Sequence, residues 1–205
     1  MNAEQYKNNP CRASSLPYWK TERFAIPGHV SVIRDDLFCG AVTRGKDEPY
    51  FKVIHHLETT PEARLPEGFE VCTCGIGDYA AHINTCYETE GIRPDELEGY
   101  LQHPVYNPSL WIAVHEKSSQ RLAATGIAEL DPRIGEGILE WIQVSPEYRR
   151  QGLGRFIVCQ LLRRMAGRAG FVTVSGKLDS DSDPLALYTS CGFTDPVIWH
   201  VIRTE

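Results

Sequence analysis

The sequence predicts a mixed α/β domain over residues 66–205, preceded by a partly β extension over residues 1–65. Three observations carry this. The apolar run at 138–144 breaks at Ser145-Pro146 and turns through Gly152 and Gly154 into an amphipathic run at 153–166. Strand-like and helix-like runs alternate between residues 69 and 202, a pattern that packs as helices on a sheet. Residues 1–65, by contrast, hold five of the 13 prolines and no clear helix.

In chain order, Val30-Ser31-Val32 and Phe51-Lys52-Val53 read as strands, with Arg44-Gly45-Lys46-Asp47 as a turn between them. Residues 69–73 form a short strand. Residues 78–89 read as a helix with Asp78 as N-cap and small or apolar side chains at 79, 80, 83 and 86. Residues 94–101 read as a second helix with proline in its first turn. Residues 110–115 and 122–130 make a hairpin about Lys117-Ser118-Ser119-Gln120. The strand at 138–144 and the helix at 153–166 follow, and Gly167 and Gly170 bracket the helix end. A strand at 171–175, a helix at 183–190 and a strand at 197–202 complete the order β-α-α-β-β-β-α-β-α-β.

Composition narrows the function. The chain has 205 residues, is 42% hydrophobic and 23% charged, and contains no apolar run of membrane-spanning length. Its start is polar, so no secretory leader is expected. Seven scattered cysteines suit reduced thiols in a cytoplasm rather than a disulfide framework. Residues 66–205 carry 12 basic and 19 acidic residues, which argues against a nucleic-acid partner and favours cationic ligands. Cys72-Thr73-Cys74 lacks zinc-site spacing and reads as packed thiols, and His55-His56 reads as a packing or surface pair. No metal is expected, and monomer and homodimer both remain open.

The chemistry concentrates at Arg149-Arg150-Gln151-Gly152-Leu153-Gly154. A strand that turns through glycines into a helix leaves backbone N–H groups free at the positive end of the helix dipole, and this binds anions. Gly152 and Gly154 are expected to admit a phosphate, and Arg149 and Arg150 to supply charge and forked donors. Arg163, Arg164 and Arg168 fall near the helix end, where a structural role is expected.

The order Arg, two residues, Gly, one residue, Gly resembles the pyrophosphate turn of the GNAT acyltransferases. The stretch from Leu139 to Tyr148 resembles that family's fourth strand and its exit, and Ala186-Leu187-Tyr188-Thr189-Ser190-Cys191-Gly192-Phe193 resembles its second signature. The resemblance implies the GNAT acyl-CoA N-acyltransferase fold, whose fourth and fifth strands splay apart to admit the coenzyme. It implies acetyl-CoA as cosubstrate and an amine as acceptor. Backbone groups of Ile142, Gln143 and Val144 would hold the pantetheine arm like an added strand. Arg149, Arg150, Gln151, Gly152, Leu153, Gly154 and Arg155 would hold the pyrophosphate.

Tyr188 stands where the family's general acid stands, and a phenol keeps its proton at neutral pH. Asp181 and Asp183 occupy the place where many members carry a supporting asparagine. Glu140 is the candidate base: it lies in the strand that leads to the splay, in an otherwise apolar stretch, where a carboxylate is costly unless paired or used. Glu129 and Glu136 remain alternatives. Cys159 and Cys191 lack an evident activating partner. Trp141, Tyr79 and Tyr106 are equally placed to line an acceptor pocket or the core. The aromatic-rich extension is short for a core of its own, so it is expected to pack on the following domain, either covering one side of the acceptor cleft or bracing the fold far from it. The leading expectation is an N-acetyltransferase, and the alternative is a non-catalytic acyl-CoA sensor.

Overall fold

A computed structural model describes residues 1–40, 45–87, 91–180 and 182–204. Its strands are β1 (Val30–Arg34), β2 (Lys46–His55), β3 (Phe69–Cys72), β4 (Trp111–Glu116), β5 (Leu122–Asp131), β6 (Glu136–Val144), β7 (Phe171–Lys177) and β8 (Thr194–Arg203). They form one sheet in the order β1-β8-β2-β7-β6-β5-β4-β3. All neighbours are antiparallel except β6 and β7. From β3 onward, with α4 (Ile76–Cys86), α5 (Pro94–Gly99), α6 (Leu153–Met165) and α7 (Pro184–Ser190), the elements follow the predicted order.

Successive strand residues face opposite sides of the sheet, and helices cover both. On one side α6 buries Leu153, Ile157 and Leu161 against Ala124, Ala128 and Leu139. A β-carbon at Gly126 would collide with Ile157, so the close approach of α6 to β5 requires glycine there. On the other side α4 buries Tyr79, Ala80 and Ile83 against Ala113 and Ile127, with Cys72 and Cys74 packed alongside. The helix start differs from expectation. Gly75 is the N-cap, and Asp78 accepts from its N–H at 2.9 Å. The helix ends at Cys86, and the predicted turn at 88–89 lies outside the described residues. The helix predicted at 94–101 tightens after Gly99 into a 3₁₀ turn.

The extension corrects the sequence in two ways. It contains three short helices, α1 (Ala3–Asn8), α2 (Pro10–Ala13) and α3 (Tyr18–Arg23). Each is under two turns, too short to show a helical period. The starts of α1 and α2 are capped by a capping box from Asn2 and Gln5, and by Asn9 before Pro10. Its two strands also do not form a hairpin. β8 lies between β1 and β2, and β2 is an interior strand between β8 and β7. Lys46 and Asp47, assigned to the turn, begin β2, and Arg44 lies outside the described residues.

A buried polar network fastens the short helices to the sheet. Tyr6 of α1 donates to Glu136 Oε1 at 2.6 Å, and Thr173 Oγ1 donates to the same oxygen at 2.7 Å. The backbone N–H of Tyr18 donates to Glu136 Oε2 at 3.0 Å. Lys52 Nζ donates to the Tyr6 hydroxyl and to the carbonyls of Ser14 and Leu16, each at 2.9 Å. Burial raises the Glu136 carboxyl above its ordinary range and lowers the Lys52 ammonium to about 8. Glu136 is thereby committed to anchoring the extension.

Candidate active site

β6 pairs with β7 only over Glu136–Leu139, opposite Phe171–Val174. Against β5 the register shifts at the same place: Trp141 faces Ile127 and Leu139 faces Ala128, so Glu140 is an extra residue in a bulge. Beyond it, among the described residues, β6 has no strand on its β7 side. A cavity of about 140 Å³ opens in this gap, lined by Leu139 and Glu140, by Val174 and Ser175 of β7, and by Leu16 and Lys20 of the extension. Farther along β6, the Ile142 carbonyl accepts the Tyr87 hydroxyl at 3.0 Å, and the Val144 carbonyl accepts Arg149 Nε at 3.3 Å. Each carbonyl retains a second lone pair. The Gln143 side chain donates to Thr125 Oγ1 and is buried.

The turn after β6 ends in Gly152, the N-cap of α6, at φ +89°. Residue 152 needs glycine for that conformation. Arg150 is also left-handed, at φ +64°. Among the described residues no side chain caps α6. Among the described residues, the amides of 150–155 donate to no backbone carbonyl, and Phe156, bonded to the Gly152 carbonyl at 3.0 Å, is the first that does. A run of unspent amides at a helix start is an anion site. Arg149 reaches the carbonyls of Val144 and Cys86, and Gln151 that of Glu147. Arg150 has no hydrogen bond or ion pair among the described residues.

Three residues of this stretch also make contacts inside the fold. A β-carbon at Gly154 would lie 3.2 Å from Leu187, so glycine lets α6 pack closely on α7 there. Arg155 donates to the carbonyl and hydroxyl of Ser190 at the end of α7. Leu153 is buried in the core. Arg164 and Arg168 bond to Ser109, in line with their structural expectation.

Tyr188 is buried on α7, its ring 6.1 Å from that of Phe51 and 5.5 Å from that of Phe193. Burial, with Tyr87 and Cys191 nearby, raises its phenol well above the ordinary value and keeps it protonated. Asp183 caps α7 by accepting from Ala186 N at 3.1 Å, and Asp181 lies outside the described residues. Cys159 and Cys191 are both buried, and the hydrogen bond between their thiols is the main cause that lowers Cys191 to about 7.

Glu140 is not alone in its bulge. Lys20 Nζ of α3 donates to both its oxygens, at 2.7 and 2.8 Å. Burial opposes the Lys20 charge, yet Glu140 holds the ammonium above its ordinary value. Glu129, one strand over, accepts from Trp19 Nε1 at 3.1 Å and pairs with His103 Nδ1 at 2.8 Å. Burial first, and then the neighbouring Glu140 charge, raises the Glu129 carboxyl to about 8. The His103 ring lies 4.7 Å from both Trp19 and Tyr100. Burial lowers its imidazole below the usual range. Trp141 Nε1 reaches the Tyr100 hydroxyl at 3.3 Å, so Trp141 borders this cluster. Tyr79 and Tyr106 instead pack on Trp111. Trp19, Lys20, Tyr100 and His103 went unseen in the sequence. They arrive from separate elements, and no local spacing joins them.

A sheet parted between two parallel strands, with an uncapped helix start after the first of them, is the architecture of acyl-CoA transferases. The family model of the GNAT acetyltransferase domain matches residues 107–195, and this part of the chain carries the likeness to the GNAT superfamily. The fold is similar to that of a GCN5-related N-acetyltransferase from Sphaerobacter thermophilus, with 18% identity, a TM-score of 0.61, and coverage of 78% of this chain and 52% of that one. A Drosophila protein is similar at 19% identity and a TM-score of 0.59, with coverage of 78% and 52%. A GCN5-related N-acetyltransferase from Kribbella flavida is similar at 15% identity and a TM-score of 0.52, with coverage of 86% and 68%. The chain thus spans about half the length of the first two, and at these identities the likeness is one of fold. No curated protein matches the sequence. Among the described residues no helix is long and apolar enough to cross a membrane.

Proposed function

We propose that the protein transfers an acetyl group from acetyl-CoA to a primary amine by direct attack of the amine on the thioester. The observation that carries this is the continuity of the open β6 edge with the uncapped start of α6. The amides of 150–155, with Arg149 and Arg150, take the pyrophosphate. The backbone of Ile142, Gln143 and Val144 takes the pantetheine arm, which leads the thioester toward the gap at Glu140. Gly154, Leu153 and Arg155 support the turn from behind.

Direct transfer needs the amine and thioester in contact, a base for the amine and a proton for the leaving thiolate. Glu140 is the proposed base, with Glu129 beside it as a proton reservoir. Tyr188 is the proposed acid, and its buried phenol supplies the proton to the thiolate. The acidic surface of residues 66–205 supports a cationic acceptor. The free thiols of all seven cysteines support a cytoplasmic setting.

Calorimetry with acetyl-CoA, paired with thiol release across a panel of small amines and lysine peptides, tests this. Absence of acetyl-CoA binding refutes it. A second reading, the non-catalytic acyl-CoA sensor, is favoured by one observation, the occupation of Glu140 by Lys20. Tight binding with no thiol release across the panel would establish it.

A further inference from the structure

The gap between β6 and β7 already contains a primary amine. Lys20 Nζ lines the cavity together with Glu140, and both oxygens of that carboxylate hold it. α3 brings it there: the buried Trp19 beside it is fastened to Glu129, and the Tyr18 amide is fastened to Glu136. The ammonium is thus presented as an acceptor amine would be, next to the proposed base. Lys52 also borders the cavity, but its nitrogen is spent on the Tyr6 hydroxyl and on the carbonyls of Ser14 and Leu16.

We propose that Lys20 is an internal acceptor: with acetyl-CoA bound, the protein acetylates its own Lys20 in cis. This rests on the acetyltransferase reading above. The ammonium gives one proton to Glu140, and the neutral nitrogen attacks the thioester carbonyl carbon. The C–N bond forms as the C–S bond breaks. The nitrogen sheds its second proton and the departing thiolate takes one up. The products are N-acetyl-lysine, free coenzyme thiol and one proton released. Acetylation removes the cation from Glu140, so the modified chain presents a carboxylate no longer occupied by its own lysine.

The test uses the full chain and acetyl-CoA without added amine, followed by intact mass and peptide mapping over time. One acetyl group is expected at Lys20, at a first-order rate independent of protein concentration. That rate should exceed the rate at exposed Lys117 by more than roughly tenfold, as expected for a positioned nucleophile. Lys20→Arg should remove this increment, and Glu140→Gln should slow it in a chain whose melting is cooperative. Modification at Lys52, or at Lys20 no faster than at Lys117, overturns the proposal, as does a rate that rises with protein concentration. Acetyl-CoA affinity and thiol release with external amines are measured on the same samples. If amines are acetylated while Lys20 stays unmodified, the internal acceptor falls and the acetyltransferase reading stands. If acetyl-CoA does not bind, both fall.

Discussion

Lys20 and Glu140 are 120 positions apart in the chain and form a two-pronged ion pair at the mouth of the parted sheet, 2.7 and 2.8 Å from nitrogen to oxygen. The side chains are 22% and 11% exposed, so the pair is too enclosed to be dismissed as a solvated contact. It ties the extension to the bulge at the centre of the site, and it couples any movement of α3 to the state of the proposed base.

Lys20→Met is expected to destabilise the fold by about 1–3 kcal/mol, because a largely buried carboxylate loses its partner. Denaturant melts report this loss. Glu140→Gln should lower turnover by roughly 10²- to 10⁴-fold, the scale of a lost general base, and unchanged turnover would exclude Glu140 as the base.

Gly152 allows charge to be separated from backbone strain. Its φ of +89° penalises any side chain, while a β-carbon there meets nothing closer than Pro66 at 3.8 Å. Asn and Asp tolerate left-handed backbone better than most residues and are nearly isosteric. Gly152→Asp should therefore bind acetyl-CoA more weakly than Gly152→Asn by roughly tenfold or more, the effect of one misplaced negative charge near phosphates. Equal affinities by calorimetry would remove the pyrophosphate from this turn.

Tyr188→Phe should keep the fold and most of the acetyl-CoA affinity, since its ring packs between Phe51 and Phe193. Turnover should fall by roughly 10²- to 10⁴-fold, the scale of a lost general acid. A change in KM with turnover intact would instead make Tyr188 a packing residue.

Glu129 makes stability depend on pH in a definite sense. Its carboxyl is raised to about 8 in the fold from an ordinary value of 4.5. Between those values the folded chain holds a proton that the unfolded chain has lost, so Glu129 stability is complete at low pH and drains as pH rises. His82, lowered from 6.5 to about 4 by burial, acts in the opposite sense below pH 6.5. Over pH 6.5 to 8, where the other titrating groups are common to both chains, the wild-type melting temperature should fall relative to Glu129→Gln, and parallel curves in thermal melts would refute the raised carboxyl.

Expression of residues 66–205 alone should give an aggregating or poorly folded chain. It would lose β2 from the interior of the sheet and bare the facing edges of β7 and β8. A soluble fragment with the melting temperature of the full chain would show that the sheet closes without β2.

Much of this was legible in the residues themselves, for a physical reason. The helix at 153–165, the strand before it and the glycine turn between them are specified by neighbours along the chain: apolar period, proline at 146 and glycine at 152. The same local signals placed the order of elements from β3 to β8 and the family they resemble. What only the tertiary structure decided was pairing across distance. Nothing in Val30–Arg34 or Lys46–His55 says that β8 will separate them, because strand partners are chosen by burial of whole faces. Nor does Lys20 announce Glu140, or Trp19 and His103 announce Glu129. Those contacts exist because Tyr6, Tyr18 and Lys52 lock the short helices over β6 and β7 around Glu136, and burial then forces the carboxylates of the site to find partners.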